Sequence, residues 1–154
     1  TSSTSFISWM MSMLGSSAIK GNGDMVDIET SWQGEDRQFF VCIDKLNEGG
    51  VVGCIAVKIG TKSQEPASET EKNVATVWKM SVDERIRRRG AGKALMDAAE
   101  EWARAKGAER MLLVTINPVA KAFYTGKCGY APSSDTSLPT SVFGNPFLEK
   151  SLAS

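Results

Sequence analysis

The sequence predicts an α/β (α+β) fold in which an antiparallel meander of strands leads into a parallel strand, helix, strand crossover. Three observations point there. Phe39 to Ile43 and Val51 to Ile59 are apolar, β-branched runs joined by the turn-forming Asn47-Glu48-Gly49-Gly50. A third such run, Val74 to Val82, follows the polar stretch from Gly60 to Asn73. Beyond it lies an alanine-rich segment of helical periodicity that stops at Gly107, then another β-branched run, Arg110 to Ile116. Two strands separated by one helix pair in parallel through a right-handed crossover, so Val77 to Val82 and Met111 to Thr115 are expected side by side.

A chain of 154 residues is one domain's worth and can bury about 68 to 70% of the surface its unfolded form exposes, enough for a real core. Lys plus Arg and Asp plus Glu both number 18, so the formal charge is zero. Bulk nucleic-acid binders are basic, which removes nucleic acid as an expected partner. There is no histidine. Histidine triads, histidine general bases and histidine metal sites are therefore excluded, and no metal is expected. Cys42, Cys54 and Cys128 are odd in number and lack C-x-x-C spacing, as buried reduced thiols in an intracellular compartment would.

Residues 1 to 20 are expected to form an N-terminal extension or helix, and residues 21 to 154 the main domain. The opening stretch is rich in Ser and Thr, and with no initiator Met a processed or trimmed chain is expected. Phe6, Trp9, Met10 and Met13 share one helix face in a run too short to cross a membrane. A helix packed on the domain is the preferred reading; the clipped end of a membrane segment and a remnant of a targeting sequence stay open. Gly21-Asn22-Gly23 breaks the chain. Asp24 then caps a short amphipathic helix, with Met25, Ile28 and Trp32 at helical spacing, that ends near Gly34.

After the first hairpin, the stretch from Gly60 to Asn73, with Pro66, reads as a mobile loop. The helix from near Gly90 carries Ala91, Ala94, Leu95, Ala98, Trp102 and Ala105 on one stripe, with Lys93, Asp97, Glu101 and Arg104 elsewhere. A last helix is expected from about Pro118 to Lys127, and one further strand near Ser141 to Leu148 in a Ser- and Pro-rich tail.

The chemistry concentrates where Val82 gives way to Gly90. A strand there passes through Arg85, Arg87, Arg88 and Arg89 and enters a helix through Gly90 and Gly92. The first N–H groups of a helix have no partner inside it and carry positive potential, so a phosphate is their natural ligand. The glycines let main chain approach that phosphate, since no Cβ stands in the way. A P-loop does not fit: Arg87 stands where its first glycine belongs, and Ala94 where its Ser or Thr does. A dinucleotide fingerprint does not fit either, because its third glycine position is Leu95.

What fits is R-x-x-G-x-G, Arg87 to Gly92, after a strand, which resembles the acetyl-CoA pyrophosphate loop of the GNAT-superfamily N-acetyltransferases. A second stretch, N-P-V-A-K-A-F-Y-T-G-K-C-G-Y from Asn117 to Tyr130, is similar to that family's next motif and follows at the right distance, one helix and one strand later. The run G-G-V-V-G-C-I-A-V, with the arginine loop after it, is further similar to the membrane-anchored branch that acetylates cysteine conjugates, aspartate or lysine. The sequence departs from that branch in having no long apolar hairpin, and it lacks or replaces the strand and helix that normally open the domain.

The resemblance implies a GNAT-type mixed sheet whose two central parallel strands splay apart between Lys79 to Val82 and Val114 to Asn117, leaving a slot for the pantetheine arm of acetyl-CoA. The backbone of Met80 and Val82 would hold the pantetheine amides, and an N–H near Met80 would polarise the thioester carbonyl. The pyrophosphate would sit on main chain from Arg88 through Gly90, Ala91, Gly92 and Lys93, with charge-assisted contacts from Arg87 and Arg88. Arg85 is read as part of a solvated basic face. Asn117 would touch the pantetheine or a nearby water, and Phe123 would pack on the cofactor or the core. Tyr124 would be the general acid that protonates the departing CoA thiolate.

The base is not assigned. The strand before the loop offers only Lys79; Asp83 and Glu84 stand beside the arginines, and Asp24, Asp27 and Glu29 read as partners of a helix dipole. Cys128 as a covalent acyl carrier is set against a buried thiol, and the buried thiol is preferred. The implied activity is acetyl transfer from acetyl-CoA to a primary amine, with a small amino acid or its conjugate as the preferred acceptor. A non-catalytic scaffold subunit of a larger assembly and a protein N-terminal or lysine acetyltransferase stay open. So do the place, the cytoplasmic side with membrane association through a segment upstream of Thr1, or an organelle.

Overall fold

Strand β2, Gly50–Ile59, is buried from Val52 onward, which is why its sequence is apolar on both faces. It pairs antiparallel with β1, Arg37–Asp44, on one side and with β3, Val74–Val82, on the other. The structure is a computed structural model and describes residues 32, 34–44, 50–62, 65–84, 90–139 and 146–153. The expected helices before Gly34, the expected absence or replacement of an opening strand, and the arginines from Arg85 to Arg89 lie outside those residues.

The meander continues into helix α1, Ala91–Ala105, strand β4, Arg110–Val114, and helix α2, Pro118–Lys127. Two further strands follow, β5 at Ala131–Pro132 and β6 at Phe147–Ser151. The described strands form one six-stranded sheet in the order β1-β2-β3-β4-β6-β5. All neighbours are antiparallel except β3 and β4, the pair that the crossover through α1 makes parallel.

The main core lies between one face of this sheet and both helices. Ile55, Val57, Val77, Met111, Leu113 and Leu148 from the strands meet Leu95, Met96, Ala99 and Ala103 of α1, and Tyr124 of α2. Each fully buried Leu, Ile or Met contributes about 1.5–3 kcal/mol relative to exposure. The opposite face holds a smaller cluster of Val74, Leu112 and Leu138.

Three expectations need correction. The buried stripe of α1 is Leu95, Met96, Ala99, Glu100 and Ala103, whereas Ala94 and Ala105 are exposed. A carboxylate sits in the buried set because it finds partners there, which apolar periodicity does not register. The last strand begins at Phe147 and runs to Ser151, further on than Ser141 to Leu148. Its Glu149 and Lys150 are charged yet paired, with Arg110 and Glu100 respectively, which disguised it. The loop after β2 is tied down: Lys58 Nζ donates to Glu65 O at 2.6 Å, Thr61 Oγ1 bonds Glu71, and a 3₁₀ turn at Glu69–Glu71 starts from a capping box on Ser68. No helix among the described residues is long and apolar enough to cross a membrane.

Candidate active site

The parallel ladder between β3 and β4 stops early. Its pairs run from Val74↔Arg110 to Val77↔Leu113, although β3 continues to Val82. On its other side β3 stays paired with β2 as far as Gly53↔Val82. The second half of β3 is therefore held on one side and parted from β4 on the other, the splay that the resemblance implied. A bulge marks the transition: Val57 opposes Val77 but Ala56 opposes Lys79, so one extra residue at Trp78 bends the strand.

The register also fixes which main-chain groups face the gap. Asp83 N donates to Val52 O at 2.7 Å. Pairs alternate along an antiparallel ladder, so Ser81 and Lys79 turn their groups to β2, while Met80 and Val82 turn theirs toward the β4 side. These are the two residues expected to receive the pantetheine amides.

The N-terminus of α1 stands at the end of this gap. Gly90 is its N-cap with φ +84°, a left-handed geometry that glycine adopts without strain. Among the described residues no side chain caps the helix, and its first turn holds no acid. The first internal bond is Ala94 N to Gly90 O at 2.9 Å, so the earlier N–H groups, those of Ala91, Gly92 and Lys93, are not used within the helix. A Cβ on Gly92 would lie 3.1 Å from Phe123 Cζ and 3.2 Å from Met80 Cε. One small position thus lets α1, α2 and β3 converge. Lys93 pairs with Asp97 one turn on. Arg87 and Arg88 fall outside the described residues.

Helix α2 supplies the wall that carries Tyr124. Asn117 is its N-cap, with Oδ1 accepting from Val119 N at 2.9 Å and Ala120 N at 3.4 Å, and Pro118 follows at the first helical position. Tyr124 is the buried residue of this helix, and its hydroxyl donates to Met80 Sδ at 3.4 Å. Burial pushes its phenol up from 10.0 to about 12. The phenol therefore keeps its proton at neutral pH. Phe123 packs beside it, ring centroids 5.3 Å apart.

Cys128 is buried, free and pushed up from 9.0 to about 11, chiefly by burial. That thiol holds its proton, which argues for packing over acyl transfer. Cys54 is buried as expected, whereas Cys42 is half-buried. Asp83 is buried and Glu84 is exposed beside the start of the loop. No group of three or more potential metal ligands occurs among the described residues.

The sequence profile of the acetyltransferase (GNAT) family matches residues 9–130. The chain belongs to this family. GNAT members are acetyl-CoA-dependent N-acetyltransferases, and the features here that bear on that chemistry are the early end of the β3–β4 ladder and the α1 start whose first N–H groups are not used within the helix.

This GNAT chain is 37% identical over 87 residues to the acetyl transferase GW6a of Oryza sativa subsp. japonica, a match covering 54% of this chain and 20% of that protein. It thus spans about a fifth of the length of that curated relative. Among solved structures it is similar to an acetyltransferase of the GNAT family from Staphylococcus aureus Mu50, with 23% identity, a TM-score of 0.68, and 86% and 78% of the two chains covered. It is also similar to an aminoglycoside 6'-N-acetyltransferase complexed with coenzyme A, at 11% identity, TM-score 0.66, and 96% and 91% coverage. At these identities the likeness is one of fold.

Two features of the GNAT site were not visible in the sequence reading. The Met80 side chain, not only its backbone, meets Tyr124. Tyr130 lies edge-on to Tyr124, with centroids 6.3 Å apart. Its place in the Gly-Tyr end of the second motif was the available signal.

Proposed function

We propose that this chain moves the acetyl group of acetyl-CoA directly to a primary amine of a small molecule, an amino acid or its conjugate, with Tyr124 as general acid. The observation that carries the reading is the position of the Tyr124 hydroxyl, which reaches Met80 on the parted half of β3. When bound there, acetyl-CoA supplies an acetyl group activated by its bond to sulfur.

The chain's own groups have separable tasks. The N–H groups of Ala91, Gly92 and Lys93 receive the diphosphate, supported by Arg87 and Arg88. Main chain of Met80 and Val82 orients the pantetheine, and an N–H in that stretch draws negative charge from the thioester carbonyl. Tyr124, protonated up to about pH 12, delivers its proton to the sulfur that leaves as the amine attacks. Asn117 fixes the start of α2 and so the height of Tyr124 above the gap. The small acceptor is favoured by the resemblance of G-G-V-V-G-C-I-A-V and the arginine loop to the branch acting on cysteine conjugates, aspartate or lysine.

The test is thiol release from acetyl-CoA across a panel of free amino acids, S-substituted cysteines, an aminoglycoside and a lysine-bearing peptide. Acetyl-CoA at about 100 times its Kd should stabilise the fold by about 2.7 kcal/mol. Thiol release dependent on an amino acid supports the reading. Stabilisation without release from any amine points to the scaffold, and release with the peptide alone to a protein acetyltransferase.

A further inference from the structure

Glu100 is a carboxylate on the buried face of α1, with its side chain 5% exposed. A charge in that position is costly unless it is paired and hydrogen-bonded. It is both. Glu100 Oε1 accepts from the Tyr130 hydroxyl at 3.1 Å and from Lys150 Nζ at 3.0 Å, and Oε2 accepts from Lys150 Nζ at 3.1 Å. The group ties α1, the turn after α2, and β6 together at one point.

A buried ion pair of this kind adds little net stability over an apolar substitute, and its best-attested use is to fix one arrangement among several. The arrangement fixed here is that of Tyr130. Its hydroxyl is held by Glu100, and Lys150 Nζ lies 5.8 Å from its ring centroid. Its backbone N–H donates to the carbonyl of Tyr124 at 3.1 Å, through a turn in which Gly129 takes φ +80°. The Tyr130 ring then meets the Tyr124 ring at 66°. Burial, then the Glu100 charge, raises the Tyr130 phenol far above its usual range, so it remains the donor in this bond.

We infer that Tyr130, anchored by Glu100 and Lys150, is a positioning residue that sets the tilt of Tyr124 toward the gap between β3 and β4. This rests on the reading of Tyr124 as proton donor. A tilt of roughly 10° moves a phenol oxygen by about 1 Å, and misplacements of that size can cost about 10²-fold in rate.

The test is a double-mutant cycle of Tyr130→Phe and Tyr124→Phe, assayed by thiol release with the panel amine of highest turnover. Tyr130→Phe keeps the ring and removes only the bond to Glu100. It should lower kcat about 10-fold and leave the KM for acetyl-CoA within about twofold. In the Tyr124→Phe background it should change kcat by less than about twofold, because its effect passes through that hydroxyl. Wild-type kcat in Tyr130→Phe, or the same drop in both backgrounds, overturns the inference and leaves the role of Tyr124 standing. Wild-type kcat in Tyr124→Phe overturns both. If Tyr130→Phe does not fold, the paired change Glu100→Gln with Lys150→Met, which removes both charges together, takes its place in the cycle under the same criteria.

Discussion

The hydroxyl of Tyr124 donates to the thioether of Met80 across 3.4 Å, joining α2 to the half of β3 that β4 has left. A thioether is a weak acceptor, so this hydrogen bond is weak and readily exchanged for a better one. The sulfur of a thioester donor would offer the same hydroxyl a partner of the same kind that becomes charged as it leaves.

Met80→Leu conserves volume and removes the acceptor, leaving a buried hydroxyl unpaired at a cost of about 1–3 kcal/mol. The variant should unfold at lower temperature, and coenzyme A should recover part of the loss. Thermal unfolding with and without coenzyme A measures this. Equal stabilisation of both proteins by coenzyme A would mean that Tyr124 does not exchange Met80 for the ligand sulfur.

Asn117→Ala removes the oxygen that caps α2 through Val119 and Ala120. It should cost about 0.5–2 kcal/mol. Asn117→Asp keeps an accepting oxygen and should restore most of it, as denaturant midpoints would show. No recovery in Asn117→Asp would place the role of Asn117 elsewhere than in the cap.

Lys58 is fully buried, donates to Ile59 O at 3.0 Å and Glu65 O at 2.6 Å, and lies 3.5 Å from Asp36 Oδ2. Lys58→Met fills similar space but removes both donations and leaves the buried Ile59 carbonyl without this partner, at about 1–3 kcal/mol. Limited proteolysis should then cut between β2 and β3 sooner than in the wild type. Unchanged cleavage there would show that the ammonium does not hold the loop.

Stability should fall at alkaline pH. Burial raises Cys54 from 9.0 to about 12, Cys128 from 9.0 to about 11 and Tyr124 from 10.0 to about 12. Each folded-state value lies above the unfolded one, so the fold favours the neutral, protonated forms. Their contribution is complete below about pH 9, declines as the unfolded chain releases protons that the folded one keeps, and is gone by about pH 12. The Tm should drop steadily from pH 9 to 11, and a constant Tm over that window would contradict the assigned burial.

Strand β3 and helix α2 were legible to the residue, Val74–Val82 and Pro118–Lys127, because apolar runs and periodicity ended at clear signals, Asn117 and Pro118 among them. The parallel pairing followed from the strand, helix, strand order, although the paired stretch is Val74 to Val77 with Arg110 to Leu113 and not Val77 to Val82 with Met111 to Thr115; its early end followed from the family resemblance. The Glu100, Tyr130 and Lys150 cluster was not legible, since a buried charge reads as a surface residue until its partners, 30 and 50 positions away, are placed. The loop after β2 was misjudged for a related reason: several of its polar residues bond to one another and to Lys58, which composition alone does not register.

The central claim is that Tyr124 protonates the sulfur released in the gap beside β3. Thiol-release kinetics of Tyr124→Phe, with the Kd for coenzyme A measured on the same protein, test it most directly. The account predicts that kcat falls by about 10² to 10⁴ while Kd stays within about twofold. A variant that turns over at the wild-type rate would contradict it.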